Sequence, residues 1–370
     1  MIGLRPNSEK LKMPIDLRTR QLAKIAVNHS IDCKPGQSIM ISGGQESTPF
    51  LIELYKEILL KKAHPVVRFH LPNISDFFYK YATKEQLKKF PELFDYNIKK
   101  CHAYIGIDTE TNTRELTSTD PKKISIRRKI TKPISDFIVN SKPQFKRVTI
   151  AYPCIAHAQE AEMSLTEWEN FVYQACLIDW KKFSKRLNKL KKKFKKNSQI
   201  HLKGKDVNLK FQVHGHLTAI DDGKENMPGG EIFMAPIRES VNGHIKFEYP
   251  QIYSGKRISG ISLTFKDGKV TEFDAEQGKE LLKILLETDE NSSYVGEFGI
   301  GMNPNIKTYT NNLLFDEKIG GTIHLALGMA YKENGGGNDS AIHLDIVKDM
   351  TKARIILDNK VIQENGKWKI

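Results

Sequence analysis

"KPGQSIMISGGQESTPFLIELYKEILLKKAHPVVRFHL", residues 34–71, contains a strand, a helix and a second strand in succession. A Pro-Gly turn precedes the apolar run Ile39–Ile41, which predicts the first strand. Thr48 can cap the helix that follows, and Pro49 suits its first turn. The segment "PVVRFHL" predicts the second strand. Two strands joined by a long amphipathic helix are typical of neighbouring parallel strands in an α/β sheet.

The same alternation continues on both sides of this stretch. Residues 15–29 predict a helix with an apolar face formed by Leu22, Ile25 and Ala26. The segments "HAYIGID" and "FKRVTIAYP" predict further strands. We therefore expect an α/β N-terminal domain with a mostly parallel sheet and flanking helices.

The second half of the chain has a different pattern. "GHIKFEYP", "GKRISGISLTFKDGKVTEFDAE" and "KARIILDNKVIQENGKWKI" alternate apolar and polar residues, and "KDGK" and "DNK" are hairpin turns. One helix, about "EQGKELLKILLETD", interrupts these strands. Because 370 residues exceed one ordinary core, we expect two domains, 1–197 and 198–370. The second is predicted to be α+β and rich in antiparallel strands.

Composition narrows the possible locations and cofactors. No apolar run is long enough for a membrane helix, and the first residues lack the apolar region of a secretory signal. The four cysteines are scattered without a CxxC pair, which favours reduced thiols in a cytoplasmic protein. No G-x-G-x-x-G or P-loop is present, so a nucleotide cofactor is not expected.

The net charge of +14 raises the question of a nucleic-acid partner. Residues 181–197, "KKFSKRLNKLKKKFKKN", hold ten Lys or Arg and no acid. An apolar helical stripe runs through them: Phe183, Leu187, Leu190 and Phe194. Charge runs usually mark solvated faces, so a helix docked by this stripe is the favoured interpretation. A contact with nucleic acid or an acidic membrane is the alternative, and no RNA motif or zinc finger supports it.

His343 and Asp345 lie in the short alternation "IHLDIV", residues 342–347. Successive side chains of a strand point to opposite faces, so these two project together, away from Ile342, Leu344 and Ile346. Polar side chains in a buried strand need a partner. The pair is therefore either a hydrogen-bonded pair or part of a metal site.

Four further polar residues lie in apolar, glycine-flanked segments. His324 lies within "GTIHLALGMAY", which ends at Tyr331, while Glu297 lies in "YVGEFGIGMNP" and Glu231 in "NMPGGEIFMAP". Each alone is compatible with a satisfied core residue or a surface charge. Together with His343 and Asp345, they form the carboxylate and imidazole mixture that divalent metals favour. Such a set exceeds one open zinc site, whereas two metals sharing a bridging carboxylate would use it fully.

These segments resemble the aminopeptidase T / aminopeptidase S family of metallopeptidases over most of the chain. In the first half the resemblance rests on "VNHSIDCKPGQSIMISGG", "NTRELTSTDP" and "MSLTEWENFVYQACLIDW". In the second half it rests on "NMPGGEIFMAP", "VNGHIKFEYP", "GEFGIGMNP", "HLALGMAY" and "IHLDIV". By this resemblance the family's active-site tyrosine falls on Tyr331, and its metal ligands fall on Glu231, Glu297, His324, His343 and Asp345.

The resemblance implies a metallo-aminopeptidase that removes N-terminal amino acids from peptides. It implies two divalent metal ions per chain (zinc, cobalt or manganese), a cytoplasmic homodimer, and a metal site in the C-terminal domain. Glu297 is expected to be the bridging carboxylate. Tyr331 is expected either to stabilise the oxyanion or to lie close to a metal. Three acids are candidate acceptors for the ligand imidazoles: Asp316, Glu317 and Asp339.

Two other functions remain open. A mononuclear Fe(II) ring-cleaving dioxygenase would use His324, His343 and Asp345 as two histidines and one carboxylate. Some ring-cleaving dioxygenases acting on dihydroxypyridines look like distant relatives of this family. Glu231 and Glu297 favour two metals, because one iron would leave both without a role. The second alternative is a binding protein whose basic helix contacts RNA, with a vestigial metal site.

Overall fold

The computed structural model describes residues 16–141, 144–253 and 255–369. The first residue of the helix predicted from residue 15 therefore lies outside the described part. The helices are α1 (Leu17–Ile25), α2 (Thr48–Leu60), α3 (Ile74–Tyr81), α4 (Lys84–Lys88), α5 (Glu92–Lys100), α6 (Pro121–Asn140), α7 (Ile155–Glu160), α8 (Leu165–Cys176), α9 (Trp180–Lys191), α10 (Lys279–Leu286) and α11 (Leu313–Asp316).

The strands alternate with helices in the first half and follow one another in the second. They are β1 (Ser38–Gly44), β2 (His64–His70), β3 (Ala103–Asp108), β4 (Lys146–Ala151), β5 (Ser198–Gly204), β6 (Val207–Val213), β7 (Ala219–Asp221), β8 (Asn226–Met227), β9 (Glu231–Met234), β10 (Asn242–Lys246), β11 (Gln251–Tyr253), β12 (Lys256–Ile258), β13 (Ser262–Lys266), β14 (Lys269–Asp274), β15 (Val295–Gly301), β16 (Thr322–Gly328), β17 (His343–Asp349), β18 (Ala353–Leu357), β19 (Lys360–Glu364) and β20 (Lys367–Trp368).

The first half builds a parallel sheet in the order β2-β1-β3-β4-β8. The helix α2 connects β1 to β2 and packs into the core through Phe50, Leu54 and Ile58. The predicted strand, helix and strand of residues 34–71 are therefore confirmed. The chain returns to this sheet at β8, beyond residue 197, and the division into domains at that residue stays a prediction.

The second half builds one eight-stranded and one five-stranded sheet from antiparallel strands. One has the order β14-β13-β10-β6-β5-β18-β19-β20, and the other has the order β17-β16-β15-β9-β7. The predicted "KDGK" turn joins β13 to β14. Asp267 and Gly268 both have positive φ there, 48° and 83°, as a two-residue hairpin of this type requires. These features confirm the expected α+β character of the C-terminal part.

The two antiparallel sheets pack against each other through apolar faces. Phe211 of β6 meets Phe298 of β15 edge-on, with ring centroids 5.0 Å apart. Both β15 and β16 are buried along their whole length. The second face of the five-stranded sheet is therefore also shielded from water, and its side chains must find partners within the protein.

The basic helix α9 docks through its apolar stripe. Phe183, Leu187 and Leu190 are buried, and so is Phe194 just beyond the helix, whereas most of the lysines between them are exposed. The predicted docking of this helix through its apolar stripe is confirmed. No helix among the described residues is long and apolar enough to cross a membrane. All four cysteines are free and buried.

Candidate metal centre

One face of the five-stranded sheet collects the predicted site residues. His324 on β16 lies opposite Gly299 on β15, and Ala326 lies opposite both Glu297 and Asp345. Directly opposed residues of antiparallel strands point to the same face. The register therefore brings together the five predicted ligands: Glu231, Glu297, His324, His343 and Asp345.

Gly299 makes room for the imidazole of His324. A Cβ atom at Gly299 would lie 2.0 Å from ring atoms of His324, a distance that no side chain tolerates. The ring therefore occupies the space that a side chain at position 299 would need. This close approach explains a glycine in the middle of a buried strand.

The candidate ligand atoms form two neighbouring groups. In the first, Glu231, Glu317 and His324 each offer an atom within 4.8 Å of the others, and in the second, Glu297, His343 and Asp345 do the same. His324 Nε2 lies 3.2 Å from Glu297 Oε1 and 3.6 Å from Glu231 Oε2. Since Glu297 contacts a histidine of the first group, it lies where the two groups meet.

The imidazole of His343 is oriented by the backbone. Its Nδ1 donates to the Met329 carbonyl at 2.8 Å, which leaves Nε2 facing Asp345 Oδ2 at 3.4 Å. A ring nitrogen bonded to a carbonyl, with the other nitrogen free, is the arrangement common among metal-binding histidines. The acceptor is thus not one of the expected acids. Asp316 accepts from Thr310, and Asp339 is exposed.

Each group contains a buried oxygen without a partner. Glu231 Oε2 in the first group and Asp345 Oδ1 in the second have no hydrogen-bond partner among the described residues, and neither has His324 Nδ1. Buried polar atoms are almost always bonded in folded proteins. Unpartnered carboxylate oxygens beside imidazole nitrogens fit a donor set for divalent metal.

Electrostatics of the metal-free site favour charged side chains in close pairs. Burial lowers the pKa of His324, but the hydrogen bond to Glu297 and the charge of Glu231 outweigh it and raise the pKa to about 9. Burial also lowers the pKa of His343, but Asp345 raises it to about 10. Burial raises the pKa of Asp345, but His343 more than reverses this and lowers it. In the absence of a metal, protons bound to His324 and His343 balance the negative charge of the carboxylates.

Lys318 and Asp221 belong to this cluster, although the sequence analysis missed both. Lys318 is fully buried, with Nζ 3.4 Å from Glu231 Oε1 and in contact with Glu317. Asp221 on β7 lies opposite Glu231 on β9. Burial raises the pKa of Glu231 well above its usual value, and the Lys318 ammonium opposes this rise. Only the strand register, which the sequence does not display, would have revealed Asp221.

Tyr331 follows β16 at the edge of the second group. Its ring centroid lies 5.7 Å from that of His343. Burial raises the pKa of its hydroxyl to about 12, so the proton stays on the oxygen at neutral pH. The side chain is therefore available as a hydrogen-bond donor beside the candidate ligands.

Comparison with known proteins identifies relatives along nearly the whole chain. The model of the thermophilic metalloprotease family, M29, matches residues 16–368. Aminopeptidase 2 of Geobacillus stearothermophilus is 26% identical over 94% of this chain and 96% of its own length. Aminopeptidase T of Thermus thermophilus is 35% identical over a shorter region, 40% of this chain and 41% of the relative.

Two solved structures share the fold. Wild-type AmpT from Thermus thermophilus superposes with a TM-score of 0.83 at 23% identity, covering 96% of this chain and 99% of that one. The 2,5-dihydroxypyridine dioxygenase from Pseudomonas putida KT2440 superposes with a TM-score of 0.61 at 14% identity, covering 95% and 96%. Both matches agree with the predicted fold class, and the fold alone does not separate the two chemistries.

Proposed function

Because this chain belongs to the thermophilic metalloprotease family, M29, we propose that it removes N-terminal amino acids from peptides at a centre of two divalent metals. The expected family and class of enzyme, a metallo-aminopeptidase, are confirmed by the family match and by the curated aminopeptidases. The observation that supports two metals is the pair of ligand groups, each with an unpartnered buried carboxylate oxygen.

In this proposal each group would hold one ion, and both ions would share Glu297. Glu231 and His324 would hold the first ion, and His343 and Asp345 would hold the second. The contact between His324 and Glu297, at 3.2 Å, supports the bridging role. Oxygen and imidazole donors suit zinc, cobalt or manganese. When bound, two such ions supply a water of lowered pKa and polarise the peptide carbonyl.

The residues of the chain then orient the substrate and stabilise charge. Tyr331 keeps its proton at neutral pH, so its hydroxyl donates a hydrogen bond to the oxyanion that forms at the attacked carbonyl. In this proposal the free α-amine of the peptide would be held by one of the ions or by a carboxylate of this face, which would restrict cleavage to the N-terminus.

The alternative, a mononuclear Fe(II) dioxygenase, fits the site less well. Its three ligands, His324, His343 and Asp345, fall in different groups, because His324 lies with Glu231 and the other two lie with Glu297. An iron bound by these three would leave Glu297 without an ion to bind, and Glu231 would have only the Lys318 ammonium nearby as a counter-charge among the described residues. The likeness to the dioxygenase structure concerns the fold alone.

We also propose that the enzyme is a homodimer that pairs through its N-terminal part. The strand β2 lies at the end of the parallel sheet and pairs only with β1 among the described strands. Val66, Val67 and Phe69 are exposed on this strand, and Leu60 is exposed on the adjoining α2. An exposed apolar edge strand is a surface that readily pairs with another chain. A second copy of the chain is the proposed occupant.

The proposed location is the cytoplasm. The cysteines, Cys33, Cys101, Cys154 and Cys176, are all free and buried, so the fold does not use disulfides. Free thiols are typical of proteins from a reducing compartment.

Metal content and substrate choice test the proposed function together. Protein purified without chelator would be reloaded with zinc, cobalt or manganese, and its metal content would be measured by elemental analysis. The loaded enzyme would then be assayed on a peptide and on the same peptide with an acetylated N-terminus. Two metals per chain and hydrolysis of the free peptide only are expected. One iron per chain with oxygen uptake on a dihydroxypyridine would establish the dioxygenase instead, and a chain that binds no metal would refute both.

A further inference from the structure

Lys318 is a buried cation at one end of the metal centre. Its side chain has no exposed surface, and its ammonium lies between the carboxylates of Glu231 and Glu317, with the charge of Asp221 also acting on it. Burying a lysine is unfavourable unless it is paired, so this position has a specific requirement for the ammonium group.

The backbone fixes Lys318 relative to Glu231. The Lys318 carbonyl accepts a hydrogen bond from the Asn303 amide at 3.0 Å. The Asn303 side chain in turn donates to the Gly229 carbonyl at 2.9 Å, two residues before Glu231. The loop that carries the lysine and the strand that carries the glutamate are therefore held together, and the ammonium has little freedom to move away.

The two oxygens of Glu231 have different surroundings. Oε1 faces the Lys318 ammonium at 3.4 Å, whereas Oε2 faces His324 at 3.6 Å and has no hydrogen-bond partner. We propose that Lys318 is a positioning residue that restricts Glu231 to one metal-binding oxygen and thereby favours zinc over larger ions. This inference rests on the proposed metal centre, but it does not depend on the peptidase activity.

Coordination chemistry connects this restriction to the choice of ion. Zinc prefers four ligands, and one carboxylate oxygen per glutamate suits that number. Manganese prefers more oxygen donors. Without the ammonium, the two oxygens that it contacts, Glu231 Oε1 and Glu317 Oε1, become available as additional donors. Zinc and manganese carry the same charge, so the loss of the lysine charge changes the affinity for both by a similar factor. A change in the ratio of the two affinities therefore reports a change in the number of ligands.

The test compares Lys318→Met with Lys348→Met in the full chain stripped of metal. Lys348 is an equally buried lysine on β17, paired with Glu248 at 2.8 Å. It points away from the metal-binding face, since strand neighbours alternate.

Zinc and manganese affinities would be measured by competition calorimetry. The ratio of zinc to manganese affinity is expected to fall about tenfold or more in Lys318→Met, the usual size of such effects. It should stay unchanged in Lys348→Met and close to wild type in Lys318→Arg.

A second measurement reports coordination directly. Bound cobalt absorbs visible light more strongly with four ligands than with six, so Lys318→Met should weaken this absorption while Lys348→Met should not. A folded Lys318→Met protein with the wild-type affinity ratio and cobalt spectrum would overturn the inference.

The test of Lys318 can be distinguished from a folding failure of the variant and from a failure of the proposed function. If Lys318→Met does not fold, Lys318→Met combined with Asp221→Asn removes one charge of each sign, and the same ratio decides. A wild-type chain that binds both metals without peptidase activity would refute the proposed function and leave the ratio to decide the role of Lys318. A wild-type chain that binds neither metal would refute both.

Discussion

Asp221 and Glu231 lie directly opposite each other on β7 and β9, and both are almost completely buried. Like charges that face each other across a buried sheet destabilise it unless a cation lies close by. Lys318 supplies that cation at this end of the sheet. Farther along the face, the histidines lie next to Glu297 and Asp345 and act as their nearest counter-charges. Metal binding and stability of this sheet are therefore coupled.

Glu297→Gln should remove metal and activity together. An amide in place of the proposed bridging carboxylate donates hydrogen bonds and carries no charge, so it would not hold two cations. We expect loss of at least one metal per chain, loss of most of the peptidase rate, and a smaller rise in Tm on metal addition. Glu276→Gln, at an exposed glutamate paired with Lys246, is the matched control and should change none of these. Full metal content and full rate in Glu297→Gln would contradict the bridging assignment.

The stabilisation by metal should grow as the pH rises. In the metal-free chain His343 has a pKa of about 10, above its usual value of 6.5, so its pairing with Asp345 stabilises the fold fully below pH 6.5 and is lost as the pH rises through 10. Metal binding requires the neutral imidazole, so the affinity for metal increases over the same range.

The Tm of metal-free and metal-loaded protein, measured from pH 6.5 to 10, would check this dependence. The difference between the two Tm values should widen steadily with pH. Below pH 6.5 the difference should shrink further, because protons compete with the metal for His324 and His343 at every pH below the raised pKa values of about 9 and 10. A difference that stays constant across the range would show that these histidines do not take part in metal binding.

Gly299→Ala should destabilise the protein and disturb the first metal position. The new methyl group would lie 2.0 Å from the His324 ring, so either the ring or the strand must shift. Overpacking of this kind costs about 1–3 kcal/mol of unfolding free energy. Thermal unfolding and metal content would be measured beside Gly337→Ala, whose Cβ meets no atom within 4 Å. A Gly299→Ala protein with the stability and metal content of Gly337→Ala would show that the ring is not held as described.

The residues of the site differ in how far the sequence alone predicts their positions. His343 and Asp345 could be paired from sequence because a strand places alternate residues on one face, and the apolar residues between them mark that strand. Glu231, Glu297 and His324 could be recognised as unusual in apolar segments. Their convergence depends on the order β17-β16-β15-β9-β7, which local pattern does not determine.

The positions of Lys318 and Asp221 in the site could not be predicted from the local sequence pattern. Lys318 follows an aspartate and a glutamate in "FDEKIGG", a composition typical of a surface turn. Its burial results from the loop between β15 and β16, which is tied by Asn303 to the chain before β9. Asp221 is the last residue of a three-residue strand whose partner lies ten residues later. Both roles come from tertiary contacts.

Val67→Lys should convert the proposed dimer to monomers. The side chain is half exposed on the edge strand β2, and a lysine on an edge strand opposes pairing with another chain. Sedimentation velocity of wild type and variant would measure the change in mass. Ile284→Lys, at an exposed apolar residue on α10, is the control and should sediment as wild type. If Val67→Lys sediments as a dimer, the contact lies elsewhere on the chain.

Tyr331→Phe should reduce turnover without altering the metal centre. The hydroxyl keeps its proton because burial raises its pKa to about 12, and its ring lies beside that of His343. Losing one donor to a developing oxyanion typically lowers kcat by about 10²–10³. We expect that loss in kcat with little change in KM and unchanged metal content. Tyr249→Phe, at a tyrosine that stacks on Tyr309, is the control and should retain full kcat. If instead Tyr331→Phe loses metal, the tyrosine contacts an ion, and the oxyanion role would be refuted.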